Sequence, residues 1–129
     1  VIKQAIYTNK APEPIGPYSQ AVQCGNFVFV SGQIPINPAN NNIENATIEE
    51  QVVRAFENLK AVCESSGASL QHIVKLNLYL TNLAEFGIVN QIMTEYFTKP
   101  YPARSTVEVS ALPKGVNFEV DAILVKENV

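Results

Sequence analysis

Phe27-Val28-Phe29-Val30 sets large apolar side chains on both sides of one extended segment, and this is the strongest constraint on the fold. Successive strand side chains point to opposite faces, so Val28 and Val30 share one side and Phe27 and Phe29 the other. The double-sidedness recurs. From Ile73 to Leu80, Val74, Leu76, Leu78 and Leu80 fall on one face, and Ile73, Lys75, Asn77 and Tyr79 on the other. From Val116 to Val125, Val116, Phe118, Val120, Ala122 and Leu124 alternate with Asn117, Glu119, Asp121, Ile123 and Val125. A shorter run sets Arg104, Thr106 and Glu108 against Ser105, Val107 and Val109. Ser19 to Gln23 and Phe27 to Ser31 are joined through Cys24-Gly25-Asn26, and Gly-Asn between two strand-like runs is a hairpin signal.

Only two helices accompany these strands. Thr47-Ile48-Glu49-Glu50 has the form of a capping box. Ile48, Val52, Ala55, Phe56, Leu59, Val62 and Cys63 follow at helical spacing, and Gly67 supplies the stop. A second helix is expected from near Asn82, with Glu85 at the matching box position, a stripe of Phe86, Val89, Met93 and Phe97, and Pro100 and Pro102 ending it. The order β-β-(β)-α-β-α-β-β predicts an α+β layer, a mixed sheet with both helices packed on one face. Two helices cover one side of such a sheet. The other side is half apolar, and monomers rarely expose large apolar patches, so at least a dimer is expected. Charge agrees: 16% of residues are charged, against about 25% for an average soluble domain. The hidden second face is where that deficit belongs.

The 129 residues suit one domain, 1–129. Nine Lys and Arg against twelve Asp and Glu give a net charge of −3, and the absence of a basic stripe argues against a nucleic-acid partner. Cys24, Cys63 and the single His72 lack metal-ligand spacing and read as buried thiols of a reducing compartment and a capping or surface imidazole. No apolar run is long enough to span a bilayer, and no signal peptide is visible. The cytoplasm is the default location, with the mitochondrial matrix as the other candidate. Asn37 to Asn45 reads as a solvated loop, and the prolines between Ala11 and Pro17 preclude regular structure there.

Few residues are placed to do chemistry. Arg104 opens a strand directly after Pro100-Tyr101-Pro102-Ala103, a rigid approach that fixes its guanidinium. An ion pair with Glu108 or Glu119 is the plainer reading, and a bidentate clamp on a substrate carboxylate the sharper one. Glu119 lies mid-strand between Phe118 and Val120, so it is either paired or held protonated by desolvation, the state of a proton carrier near neutral pH. Asp121 shares its face and is the alternative structural member. Tyr18 follows Gly16-Pro17, so a loop presents its hydroxyl, for packing or for donation into a cleft. No G-x-S-x-G, Walker or G-x-G-x-x-G pattern is present.

Gly16-Pro17-Tyr18-Ser19-Gln20-Ala21, Val30-Ser31-Gly32-Gln33-Ile34-Pro35, Pro102-Ala103-Arg104-Ser105-Thr106-Val107-Glu108-Val109, Leu112-Pro113-Lys114-Gly115-Val116 and Phe118-Glu119-Val120-Asp121-Ala122-Ile123 together resemble the RidA (YjgF/YER057c/UK114) family, in matching order from about Ala11 onward. The resemblance implies a chorismate-mutase-like fold, a homotrimer with sites in the clefts between subunits, and hydrolytic deamination. The substrates implied are 2-imino acids and their enamine tautomers, such as 2-iminobutanoate and 2-iminopropanoate, released by pyridoxal-phosphate enzymes and converted to 2-oxo acids and ammonia. By the same resemblance Arg104 matches the carboxylate-binding Arg, Glu119 the acid/base that handles water, and Tyr18 the pocket hydroxyl. Ser31 and Gly32 match a ligand-facing loop, and Asn90 an Asn bordering the cleft. Thr106 stands where many members have Cys; it keeps a backbone N–H and a hydroxyl, enough for a substrate-binding position that orients the ligand, and loses thiolate chemistry.

An iminium carbon is already electrophilic, so attack by water needs positioning and a proton acceptor rather than a covalent relay, and no metal or cofactor is called for. Two other functions stay open: an endoribonuclease or translation inhibitor, an activity also attached to the family, and a non-catalytic metabolite-binding or chaperone-like trimer.

Overall fold

The computed structural model describes residues 2–127. Six strands form one mixed sheet: β1 (Lys3–Ile6), β2 (Ala21–Cys24), β3 (Phe27–Gln33), β4 (Ile73–Leu80), β5 (Ala103–Glu108) and β6 (Phe118–Val125), in the spatial order β1-β2-β3-β6-β4-β5. Helix α1 (Ile48–Ser65) links β3 to β4, and α2 (Phe86–Tyr96) links β4 to β5. All neighbours are antiparallel except β4 and β5, the pair that a helical crossover joins. The expected α+β layer is therefore what forms, with β1 as the third strand ahead of α1.

The hairpin lies where expected. Gly25, the first residue of the two-residue turn between β2 and β3, has φ +60°, which only glycine adopts without cost. Thr47 caps α1 by accepting from the Glu50 N–H at 3.1 Å. Val52, Ala55, Phe56, Leu59, Val62 and Cys63 then face the sheet. The Phe56 ring is central to the core, 5.3, 5.8 and 5.7 Å from the rings of Tyr96, Phe97 and Phe118. Burial pushes the Cys63 thiol up to about 12, as expected of an inert core thiol.

Three expectations are corrected. Ile73 is buried on the helix side and Val74 is exposed, the reverse of the strict alternation, because the β4–β6 register shifts between Ile73 and Lys75. A bulge of this kind resets the inward phase for the rest of the strand. Asn82 caps a 3₁₀ turn over Leu83–Glu85 instead of α2, which begins at Phe86; Phe97 lies past its end, extended but buried. Val116 precedes β6: residues 113–115 form another 3₁₀ turn, and the strand begins at Phe118. That turn runs directly into an anchor on α1. Buried Gln51 accepts from the Asn117 N–H at 2.7 Å and donates to Asn117 Oδ1 at 2.9 Å.

The loop between β3 and α1 is closed by an Ile36–Ile43 bridge. Asn58 of α1 holds it from beneath, donating to the Ile34 and Ile36 carbonyls at 3.0 and 2.9 Å. Another buried amide, Gln20, replaces a strand ladder where the chain runs irregularly over residues 8–12. Its Nε2 donates to the carbonyls of Thr8 and Pro12 at 3.0 and 2.9 Å, while its Oε1 accepts from the Thr8 N–H at 2.8 Å.

Both helices lie over one face. On the other, Phe27 and Phe29 stand 49% and 46% exposed, with Tyr79, Ile123 and Val125 half-buried beside them. Among the described residues, no helix is long and apolar enough to cross a membrane.

Candidate functional site

Glu119 owes its surroundings to a bulge. Pairing between β3 and β6 passes from Val30 with Ala122 to Gln33 with Val120, so Ser31 and Gly32 together oppose Asp121. The Glu119 carboxyl fills the room this leaves. A Cβ on residue 32 would lie 2.2 Å from Glu119 Oε2 and 2.8 Å from its Cδ, closer than any real Cβ contact. Gly32 is thus a seat for the carboxyl. Around it lies a cavity of about 540 Å³, walled by Tyr18, Ser31, Lys114 and Glu119 with Ile15 and Ile34 as apolar cover.

The hydroxyls of this cavity differ. Ser31 donates its hydrogen to the Ser19 carbonyl at 2.6 Å, which leaves Oγ able only to accept from a ligand. Tyr18 Oη accepts from the Ile15 N–H at 3.3 Å, so its own hydrogen remains to be donated. Glu119 has no hydrogen-bond donor among the described residues. Burial, and secondarily the neighbouring Asp121 charge, raises its carboxyl above the usual range. Asp121 is the structural member, accepting from Asn77 Nδ2 and Tyr79 Oη at 2.8 Å each.

Arg104 lies elsewhere. In the parallel β4–β5 register it pairs with Leu76, and Thr106 with Leu78, which turns Arg104, Thr106 and Glu108 to the helix side. Glu119 alternates with buried Phe118 and Val120 and faces the opposite side. The two therefore lie on opposite faces of the sheet, which rules out the expected Arg104–Glu119 ion pair. On an edge strand only α2 covers the inner side, and its row of Phe86, Asn90 and Met93 offers polar and polarisable contacts that a guanidinium accepts. Arg104 Nη1 donates to Asn90 Oδ1 at 2.5 Å and approaches Met93 Sδ at 3.4 Å. Its Cζ lies 4.7 Å from the Phe86 ring centroid, a cation–π contact.

Neither expected ion pair forms. Glu108 accepts from the Leu83 N–H at 2.8 Å instead. Arg104, Asn90, Met93, Thr94, Tyr101 and Pro102 line a second cavity of about 490 Å³. Thr106 lines neither cavity, and its Oγ1 is buried without a partner among the described residues.

Tyr18, Ser31, Gly32 and Glu119 therefore gather in one cavity, and Arg104 with Asn90 in another. Phe86, Met93 and Lys114 escape a sequence reading. The first two look like core stripe, although their spacing around Asn90 marks one face of α2. Lys114 betrays nothing until its φ of +59° is seen. His72 accepts from the Ser69 N–H through Nδ1 at 3.1 Å, a capping role.

A family model described as Endoribonuclease L-PSP matches residues 8–126. A RutC family protein of Pyrococcus abyssi is 52% identical, over 97% of this chain and 98% of its own length. A 2-iminobutanoate/2-iminopropanoate deaminase of Dermatophagoides farinae is 47% identical, over 97% of this chain and 98% of its own. The crystal structure of RidA from the Antarctic bacterium Psychrobacter sp. PAMC 21119 superposes with a TM-score of 0.92 at 43% identity, over 95% of this chain and 98% of that one.

Proposed function

We propose that this chain, which belongs to the Endoribonuclease L-PSP family of Rid and RutC proteins, is a hydrolase of reactive 2-imino acids, 2-iminobutanoate and 2-iminopropanoate among them. The observation that carries the reading is the contrast between an arginine already steadied by Asn90 and Phe86 and a carboxyl raised in pKa with no donor on it. Together they supply the two things imine hydrolysis needs, an anchor for a carboxylate and a carrier for a proton.

Because the two groups occupy different cavities, a complete site takes Arg104 from one copy and Glu119 from another. The bare apolar face, with Phe27 and Phe29 about half exposed, supports assembly of such copies, and the homotrimer is the assembly that the family resemblance implies. Arg104 holds the substrate carboxylate, with Asn90 limiting its swing. Glu119 takes a proton from water as the water oxygen bonds to the imine carbon. With the imine nitrogen already protonated, the carbinolamine so formed receives that proton on nitrogen, the C–N bond breaks with its pair leaving as ammonia, and the hydroxyl passes its proton to the Glu119 carboxylate to give the 2-oxo acid. Tyr18 donates a hydrogen bond to the developing oxygen. Amino-acid precursors handled by pyridoxal-phosphate dehydratases release substrates of this kind.

The test is a trapping competition. An amino-acid oxidase generates 2-iminobutanoate or 2-iminopropanoate in the presence of semicarbazide, and the protein is expected to lower semicarbazone formation. Unchanged trapping at high protein concentration overturns the reading.

A further inference from the structure

The proposed reaction gives Asp121 no part, yet it is the most firmly held carboxylate on the Glu119 face. Both of its oxygens accept strong hydrogen bonds, from Asn77 Nδ2 and Tyr79 Oη at 2.8 Å each. Cross-strand pairing makes this arrangement rigid, since Asn77 lies opposite Asp121 and Tyr79 opposite Glu119 on the same rungs of β4 and β6. Asp121 stands two residues from Glu119 on the same face of one strand. Each of its oxygens is thus matched by a donor, beside a carboxyl that has none among the described residues.

We infer that Asp121, fixed by Asn77 and Tyr79, is a positioning residue that keeps the Glu119 proton in place for delivery to the enamine tautomer of the substrate. This rests on the imine-hydrolase reading and supplies the donor that enamine chemistry requires. The enamine carbon–carbon π pair takes the proton from Glu119, whose O–H electrons remain on the carboxylate, and an iminium forms. Water then adds to the iminium carbon and its proton passes to that carboxylate, so Glu119 ends as it began. A carboxyl that was already ionised could perform the second half and not the first.

After burial, Asp121 is the neighbouring charge that acts on the Glu119 carboxyl. From β4, Tyr79 faces Glu119 as a phenol pushed up to about 12, first by burial and then by its bond to Asp121, so it stays a neutral donor. Lys75, also on β4, is engaged with Ser105 Oγ at 3.1 Å. From β3 come Ser31 and Gly32, which do not titrate. Tyr18, Lys114 and Glu13 line the same cavity. Burial and Asp121 are what raise the Glu119 carboxyl, in that order.

The test combines a direct titration with kinetics. Carbon-detected NMR follows the Glu119 carboxyl against pH in the wild-type protein and in Asp121→Asn, which keeps the shape and removes the charge. The Glu119 midpoint is expected to move to lower pH. With 2-aminocrotonate generated in situ by a threonine dehydratase, enamine consumption falls as pH rises through that midpoint. Asp121→Asn is therefore expected to match wild type in acid and be severalfold slower near pH 8. Asp121→Ser, which also removes the charge and leaves a smaller neutral side chain, moves the midpoint the same way and serves if Asp121→Asn fails to fold. An unmoved midpoint, or a moved midpoint with an unchanged pH profile, overturns the role of Asp121. Loss of all enamine and imine turnover in the wild type, with the midpoint moving as expected, instead overturns the hydrolase reading.

Discussion

The two cavities solve opposite problems. Around Arg104 every contact steadies a charge: an amide oxygen at 2.5 Å, a thioether sulfur at 3.4 Å and a ring face at 4.7 Å. Around Glu119 burial and a like charge work against ionisation, and no donor relieves it. The guanidinium is pre-organised, as the proposed carboxylate anchor requires; the carboxyl is left unsatisfied, as the proposed proton carrier requires. Pre-organisation suits binding because the ordering cost is met before the ligand arrives. An unsatisfied carboxyl suits catalysis because its protonation state turns on small changes nearby.

Breaking the steadied half should have the largest effect. Arg104→Ala is expected to lower kcat/KM for 2-iminobutanoate by about a thousandfold, since orientation and a charge-assisted contact are lost together. Size-exclusion chromatography with light scattering should show the assembly unchanged. The other half can be disturbed without touching its charge. Gly32→Ala puts a methyl where Glu119 Oε2 sits, and displacing the carboxyl by about 1 Å should cost on the order of a hundredfold in kcat. A Gly32→Ala protein of wild-type activity would show that Glu119 does not need its seat.

Smaller changes sharpen the contrast. Thr106→Val removes a buried hydroxyl that lacks a partner and should stabilise the fold by about 1 kcal/mol in chemical denaturation, with imine hydrolysis unaltered. Lost activity would restore Thr106 to the ligand contacts that the family resemblance implies for it. Glu119→Gln addresses stability against pH. The folded Glu119 carboxyl holds its proton more tightly than the unfolded one at 4.5, so its contribution is greatest in acid and declines as pH rises through the folded value. The variant should match wild type in Tm at about pH 4 and exceed it by about 2 °C near pH 8, as read by calorimetry.

How far the molecule was legible in the sequence depended on local geometry. Strand alternation around Phe27 to Val30 and Phe118 to Leu124 reads through to burial, because these inner strands have neighbours on both edges. It fails at Val74, where a bulge shifts the phase. It also fails to orient β5: the alternation of Arg104 with Ser105 is real, but a parallel edge strand takes its inward side from the crossover helix and not from hydrophobicity. Val107, an apolar residue on the side opposite Arg104, is 46% exposed. Tyr18, Ser31, Gly32 and Glu119 were legible as a cluster through motif resemblance. The Gly32 contact with Glu119 was not, since it depends on a bulge opposite Asp121 that no local sequence pattern marks.

Gln20 bears on how such a pocket can diversify. Its amide stands in for the missing strand partner of residues 8–12, binding backbone atoms and ignoring side-chain identity. The rim that follows, through Glu13 and Ile15, is therefore free to change composition while its path is held. One buried glutamine separates the scaffolding of the cavity mouth from its chemistry, so new ligand preferences can be explored there without rebuilding the fold beneath.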